Sequence, residues 1–147
     1  MKIEEVISMI ARLHDGQWYG NAPFVVHPLL VARRFTEPTL QIVALLHDAV
    51  EDTPITLKEI TSWFGAEVGE AIDALTRREG EDYLSAYIPR VARNTLARKV
   101  KIVDLQENLF SAKYFYPDRY GSLIKRYERA HRYLSREDAR QIDGKGD

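Results

Sequence analysis

Apolar residues in this chain recur at intervals of three and four, and no stretch alternates long enough to read as a strand. That periodicity restricts the chain to packed helices. Ile3, Val6, Ile7, Ile10 and His14 follow one helical face. Gly16 to Pro23 reads as a loop, with Gly20-Asn21 as its turn signal. Pro28 fits a first helical position, so His27 is expected at the mouth of a second helix, with Leu29 to Phe35 behind it. Pro38 starts a third helix, which turns Leu40, Val43, Leu46 and Val50 inward and ends at Thr53-Pro54. Thr56 and Glu59 form a capping box for a short fourth helix that stops at Gly65. Ala66 to Leu75 is the fifth, and Arg77 to Glu81 a charged loop. A sixth helix holds Tyr83, Tyr87 and Val91, and Pro89 must kink or restart it. Leu96 to Leu109 is the seventh. Pro117 opens the eighth, with Tyr120, Leu123, Ile124, Tyr127 and Leu134 as its stripe. The expected fold is all-α, one bundle-like domain of about eight helices over residues 1–135, with 136–147 as a polar, fraying tail.

At 147 residues the chain suits one domain with a real core. It has no cysteine, so disulfide scaffolds and thiolate metal sites are excluded. A net charge of −1 offers no global field for nucleic acid, although Arg90 to Lys101 is locally basic. No apolar run approaches the roughly 20 residues of a membrane span. The N-terminus carries early acids and no signal-cleavage pattern. These features lead us to expect a soluble, cytoplasmic protein with neither membrane nor nucleic-acid partners. Its charge and helical faces permit a homodimer.

One string resists a purely structural reading. In "LLHDAVEDT", residues 45–53, an apolar helix ends in His47, Asp48, Glu51 and Asp52. Unpaired buried acids are costly, so several together require a cation, a network or water. Residues four apart share a helix face, which pairs His47 with Glu51 and Asp48 with Asp52. Sequence neighbours diverge by about 100° on a helix, so His47 and Asp48 meet only at an ion lying between them. A second apolar stretch, "LARKVKIVDLQENLF", places Lys101, Asp104 and Asn108 on one stripe. With His27 there are two imidazoles and two carboxylates. That donor set suits Mn²⁺, Fe²⁺, Zn²⁺ or Ni²⁺. A single His-Asp pair is usually exposed or capping, and His14-Asp15 is another in this chain. The combination, not the dipeptide, points to a metal.

These segments carry a resemblance. "HDGQ" (14–17), "PFVVHPLLVA" (23–32), "ALLHDAVEDT" (44–53) and "VKIVDLQENL" (100–109) resemble, in order, the HD-domain metal phosphohydrolases. Among these they look most like the hydrolase domain of the RelA/SpoT family and the small alarmone hydrolases, over about residues 5 to 110. The resemblance implies an HD-domain helical fold. It implies that His27, His47, Asp48 and Asp104 ligate one Mn²⁺, and that Glu51 and Asp52 position or activate the attacking water. It implies that Asn108 contacts ribose or phosphate and that Lys101 faces the substrate. The implied reaction removes the 3′-diphosphate of (p)ppGpp.

The chain also departs from that pattern. The loop after Gln17 reads "GQWYGNAP", shorter and without the family's basic pair, and Leu105 replaces an arginine often found after the last ligand. Trp18 or Tyr19 can stack on a purine instead. Tyr83, Tyr87 and Arg90 are candidates for the pocket wall. Arg77, Arg78, Arg93, Arg98 and Lys99 read as a solvated face, His131 as surface, and His14 as a hydrogen-bonding core residue. Two other readings stay open: an HD-family nucleotide phosphatase with a different substrate, and a non-catalytic metal- or nucleotide-binding regulator.

Overall fold

The computed structural model describes residues 1–116, 118 and 120–144. The chain divides into two compact units, Met1–Arg77 and Arg78–Asp147. Among the described residues the structure is all-α except for one small hairpin.

The first unit holds α1 (Ile3–Leu13), α2 (Val26–Ala32), α3 (Pro38–Leu46), α4 (Ala49–Asp52), α5 (Leu57–Phe64) and α6 (Ala66–Leu75). Helix α3 is its centre, packed by α1, α2 and α6. Leu40, Val43, Ala44, Leu45 and Leu46 are all buried, the pattern of a helix surrounded on every side rather than laid on a surface. Val6, Ile10, Val31, Ile60 and Ile72 complete this core. Truncating Leu46 to alanine here costs roughly 2–5 kcal/mol. The Thr56–Glu59 capping box forms as expected, and α5 stops at Gly65, whose φ of 92° suits glycine. Gly69 lets α6 approach α5, since a Cβ there would collide with the Thr61 side chain.

Several local expectations change. The segment after α1 is not a plain loop: β1 (Trp18–Tyr19) pairs antiparallel with β2 (Ala22–Pro23), in the register Trp18↔Pro23 and Tyr19↔Ala22. Gly20, at φ 60°, supplies the first turn position of this two-residue hairpin. Two-residue strands carry no alternation to read. The third helix also ends early, at Leu46, and Asp48 adopts φ −105°, ψ 0° before α4 begins. Val50, expected inward, is only partly buried. Helix α2 likewise ends at Ala32, short of Phe35.

The second unit begins with a π-helical turn, Tyr83–Tyr87, followed by α7 (Ile88–Ala92), α8 (Thr95–Tyr114) and α9 (Gly121–Asp143). The Ile88 amide donates five residues back to the Tyr83 carbonyl, and Pro89, which has no N–H, follows in the first turn of α7. The widened turn seats the proline ring where a continuous α-helix would clash. Asn94 caps α8, accepting from the Ala97 amide at 2.9 Å. Helices α8 and α9 pack along each other, with Val100, Leu105, Ala130 and Leu134 buried. Pro117, expected to open the last helix, lies outside the described residues. Helix α9 runs on to Asp143, well into the segment expected to fray.

Candidate metal centre

The break after α3 is what brings the first unit's candidate ligands together. On an unbroken helix His47 and Asp48 would diverge. With the turn at Asp48, His47 Nε2 comes to 2.9 Å from Asp48 Oδ2, and His27 Nε2 lies 3.9 Å from the same oxygen. Both rings are buried, with centroids 5.2 Å apart.

His47 Nδ1 lies 2.6 Å from the Ala44 carbonyl. A carbonyl only accepts, so Nδ1 donates to it, and the ring turns its Nε2 toward the Asp48 carboxylate. A proton on Nε2 or a cation between the two atoms satisfies this 2.9 Å approach. Protonating both imidazoles in one buried cluster sets like charges side by side. One divalent cation satisfies the histidines and the carboxylate together, so this donor set fits a metal.

A supporting layer surrounds these side chains. The Tyr19 ring stacks on His27 at 4.6 Å and 19°. His14, at the end of α1, packs against Phe24 at 4.6 Å and donates from Nδ1 to Gln17 Oε1 at 2.8 Å. Gln17 Nε2 in turn donates to the Asp52 carbonyl at 2.7 Å. The hairpin and the end of α1 are thereby fastened to the acidic end of α4. In the sequence Gln17 stands out only within "HDGQ", and its spacing of three from His14 is the signal for this bond. Burial raises the Asp52 carboxyl above its ordinary range, helped by Asp48 and opposed by His14, His47 and His27. Glu51 is exposed, and its Oε1 accepts from the Arg77 amide beyond α6.

In the second unit Asp104 is buried on α8, where its two oxygens accept from Lys101 Nζ at 2.8 Å and Asn108 Nδ2 at 3.1 Å. The expected stripe is thus one hydrogen-bonded group that orients a carboxylate. Lys101 also lies 5.5 Å above the Tyr87 ring. Tyr83 and Tyr87 are buried, 5.4 Å apart. Burial raises the Tyr83 hydroxyl, while Lys101 opposes the shift. Arg90 pairs with Glu81 through two bonds at 2.9 and 2.8 Å and lies 5.7 Å from the Tyr87 ring. Trp18 is 68% exposed.

Two residues expected at the surface are not there. Arg98 is 2% exposed, bonded to Asp138 Oδ1 and the Ala92 carbonyl. It lies on the side of α8 that α9 covers. His131 is half-buried beside Gln106, and burial lowers its pKa.

No family model matches the chain. A probable GTP pyrophosphokinase of Mycobacterium leprae (strain TN) is 33% identical over 110 residues, 66% of this chain and 14% of that protein. The guanosine-3′,5′-bis(diphosphate) 3′-pyrophosphohydrolase of Haemophilus influenzae is 30% identical over 133 residues, 80% of this chain and 20% of that protein. The chain resembles the RelA/SpoT (p)ppGpp hydrolases. It spans a fifth or less of the length of these curated relatives. A solved metazoan ortholog of SpoT, which hydrolyses ppGpp, has the same fold, with a TM-score of 0.71 over 98% of this chain and 95% of that one, at 21% identity. Among the described residues, no helix is long and apolar enough to cross a membrane.

Proposed function

We propose that the chain is a metal-dependent phosphohydrolase that removes the 3′-diphosphate of (p)ppGpp-like nucleotides in the cytoplasm. The observation that carries this reading is the convergence of two buried imidazoles on one carboxylate oxygen, His47 Nε2 at 2.9 Å and His27 Nε2 at 3.9 Å from Asp48 Oδ2. In this reading His27, His47, Asp48 and Asp104 hold one divalent ion, Mn²⁺ by preference. His27, His47 and Asp104 are each buried and each offer one ligand atom. When bound, the ion lowers the pKa of water and neutralises phosphate oxygens.

The chain's own groups do the rest. Glu51 and Asp52 follow the ligands by one turn and accept the proton of the attacking water. Lys101 and Asn108 fix the Asp104 carboxylate and offer donors to ribose or phosphate. Tyr83, Tyr87 and Arg90 wall the pocket, and Trp18 and Tyr19 meet the base.

The loop after Gln17 favours keeping a second substrate in view, because it offers aromatic rings where the family has bases. The deciding experiment measures phosphate and pyrophosphate release from ppGpp and from ordinary nucleotides by the Mn²⁺-loaded protein. Pyrophosphate from ppGpp supports the main reading. Phosphate from another nucleotide alone keeps the metal centre and discards the alarmone. Binding without turnover on any of them turns the reading into a regulatory scaffold.

A further inference from the structure

The two units differ in charge. Residues 1–77 carry six Lys and Arg against eleven Asp and Glu, whereas residues 78–147 carry fifteen against eleven. Much of the positive excess lies on α9, and that helix's acids are largely used. Glu128 meets Lys113 at 2.8 Å, Glu137 meets Arg140 at 2.9 Å, and Asp138 meets Arg98 at 2.9 Å. Arg129, Arg132 and Arg136 are exposed, and none makes an ion pair among the described residues. Spacings of three and four put them on one face, where like charges cost stability unless an anion joins them.

A groove of about 600 Å³ runs beside this row, between α8 and α9. Arg132 and Arg136 line it, with His131 and Ser135 beside them and Leu109 and Ala139 also in its wall. Its volume falls in the range of small-ligand sites, about 300–1,000 Å³. His131 Nε2 sits 3.1 Å from the Gln106 side-chain nitrogen. An amide nitrogen only donates, so Nε2 accepts and Nδ1 remains a proton donor on this lining residue. The acid on the groove, Glu128, is joined to Lys113, and the charge of Arg132 acts on it more weakly.

We propose that this groove is a second binding site, separate from the metal centre, for a diphosphate group held by Arg132 and Arg136. Two guanidinium groups one helical turn apart span about 6 Å along the axis, the reach of a single diphosphate. Toward the C-terminus the basic row stops, because Arg140, next along, is taken by Glu137. Inorganic pyrophosphate and a nucleoside diphosphate share the chemistry that this site reads.

The test is calorimetric titration of the full chain, in EDTA, with inorganic pyrophosphate and then GDP, for wild type and Arg132→Ala/Arg136→Ala. The same titrations on His47→Ala remove any contribution from the proposed metal centre. Wild type and His47→Ala bind alike, and the double variant binds roughly tenfold or more weakly, a loss of at least about 1.4 kcal/mol. Ala139→Trp, which fills the groove and keeps its charges, also weakens binding. Equal affinity for both ligands assigns the site to inorganic diphosphate, and tighter GDP assigns it to the nucleotide. Unchanged binding in the double variant overturns the site. So does single-stranded RNA binding to α9 when pyrophosphate does not. Hydrolysis assayed in parallel keeps the two proposals apart, because turnover does not enter the titration.

Discussion

Arg98 Nε reaches from α8 to α9 and lies 2.9 Å from Oδ1 of Asp138, while the same guanidinium donates through Nη1 to the Ala92 carbonyl at 2.8 Å. The Arg98 side chain is 3% exposed and that of Asp138 22%. Removing the acid strands a buried cation, whereas removing the arginine leaves a carboxylate that water can reach. We expect Asp138→Ala to lower stability by about 2–4 kcal/mol and Arg98→Met by less, read as urea midpoints at constant m. Equal, small effects from both would show that the pair is merely a surface contact.

His47 anchors a second prediction. Its Nδ1 bond to the Ala44 carbonyl turns Nε2 toward Asp48. Mn²⁺ at a hundred times its Kd then stabilises the folded chain by about 2.7 kcal/mol. The midpoint of thermal unfolding rises with Mn²⁺ for wild type and stays flat for His47→Ala and Asp104→Ala. Full metal stoichiometry in Asp104→Ala would take Asp104 off the ligand list.

Much of this was legible in the residues, and the misses have physical causes. Helices α1, α3, α5 and α6 begin where prolines, caps and periodicity put them, because each signal is local. The stripe of Lys101, Asp104 and Asn108 follows from helical spacing alone and is a hydrogen-bonded group in the structure. The His47–Asp48 convergence was read as a helix flank meeting an ion. It arises instead from a break at Asp48, which no glycine or proline announces. The hairpin at Trp18 was missed because two-residue strands hold no period. Arg98 was missed because arginine is a poor marker of burial, and its partner lies forty residues on, in a stretch whose polarity reads as a tail.

Glu51 separates catalysis from binding. Its carboxylate accepts from the Arg77 amide, and glutamine keeps that acceptor while losing the base. Glu51→Gln should slow single-turnover hydrolysis by roughly 10²–10⁴-fold with nucleotide affinity kept. Undiminished turnover in Glu51→Gln would move the base role to Asp52, and Asp52→Asn is the next variant to assay.

Acid stability has a defined contributor in the Glu81–Arg90 pair. The Arg90 hydrogen bonds pull the Glu81 carboxyl from its ordinary 4.5 down to about 2. A carboxyl with a depressed folded pKa binds its proton more weakly when folded. It therefore adds stability above its unfolded pKa and loses it as pH falls through the folded one. Wild type should exceed Glu81→Gln in stability at pH 6, and the gap should close between pH 4.5 and about 2. Denaturation midpoints of both chains across that range measure it. A gap that persists at pH 2 would mean that packing, not charge, sets the difference.

Trp18 bears on what the pocket recognises. Its ring is 68% exposed on β1, where little of the core depends on it, so alanine should leave stability within about 0.5 kcal/mol. Tyr19, its neighbour, already has one ring face on His27. Base stacking on an aromatic ring contributes about 1–3 kcal/mol. If Trp18 meets the purine, Trp18→Ala raises KM roughly tenfold and leaves kcat nearly unchanged, because stacking binds ground state and transition state alike. Tyr19→Ala, by contrast, uncovers His27, a proposed ligand, and should weaken Mn²⁺ affinity as well. An unchanged KM in Trp18→Ala excludes stacking there and shifts base recognition to Tyr19 or to the second unit's tyrosines.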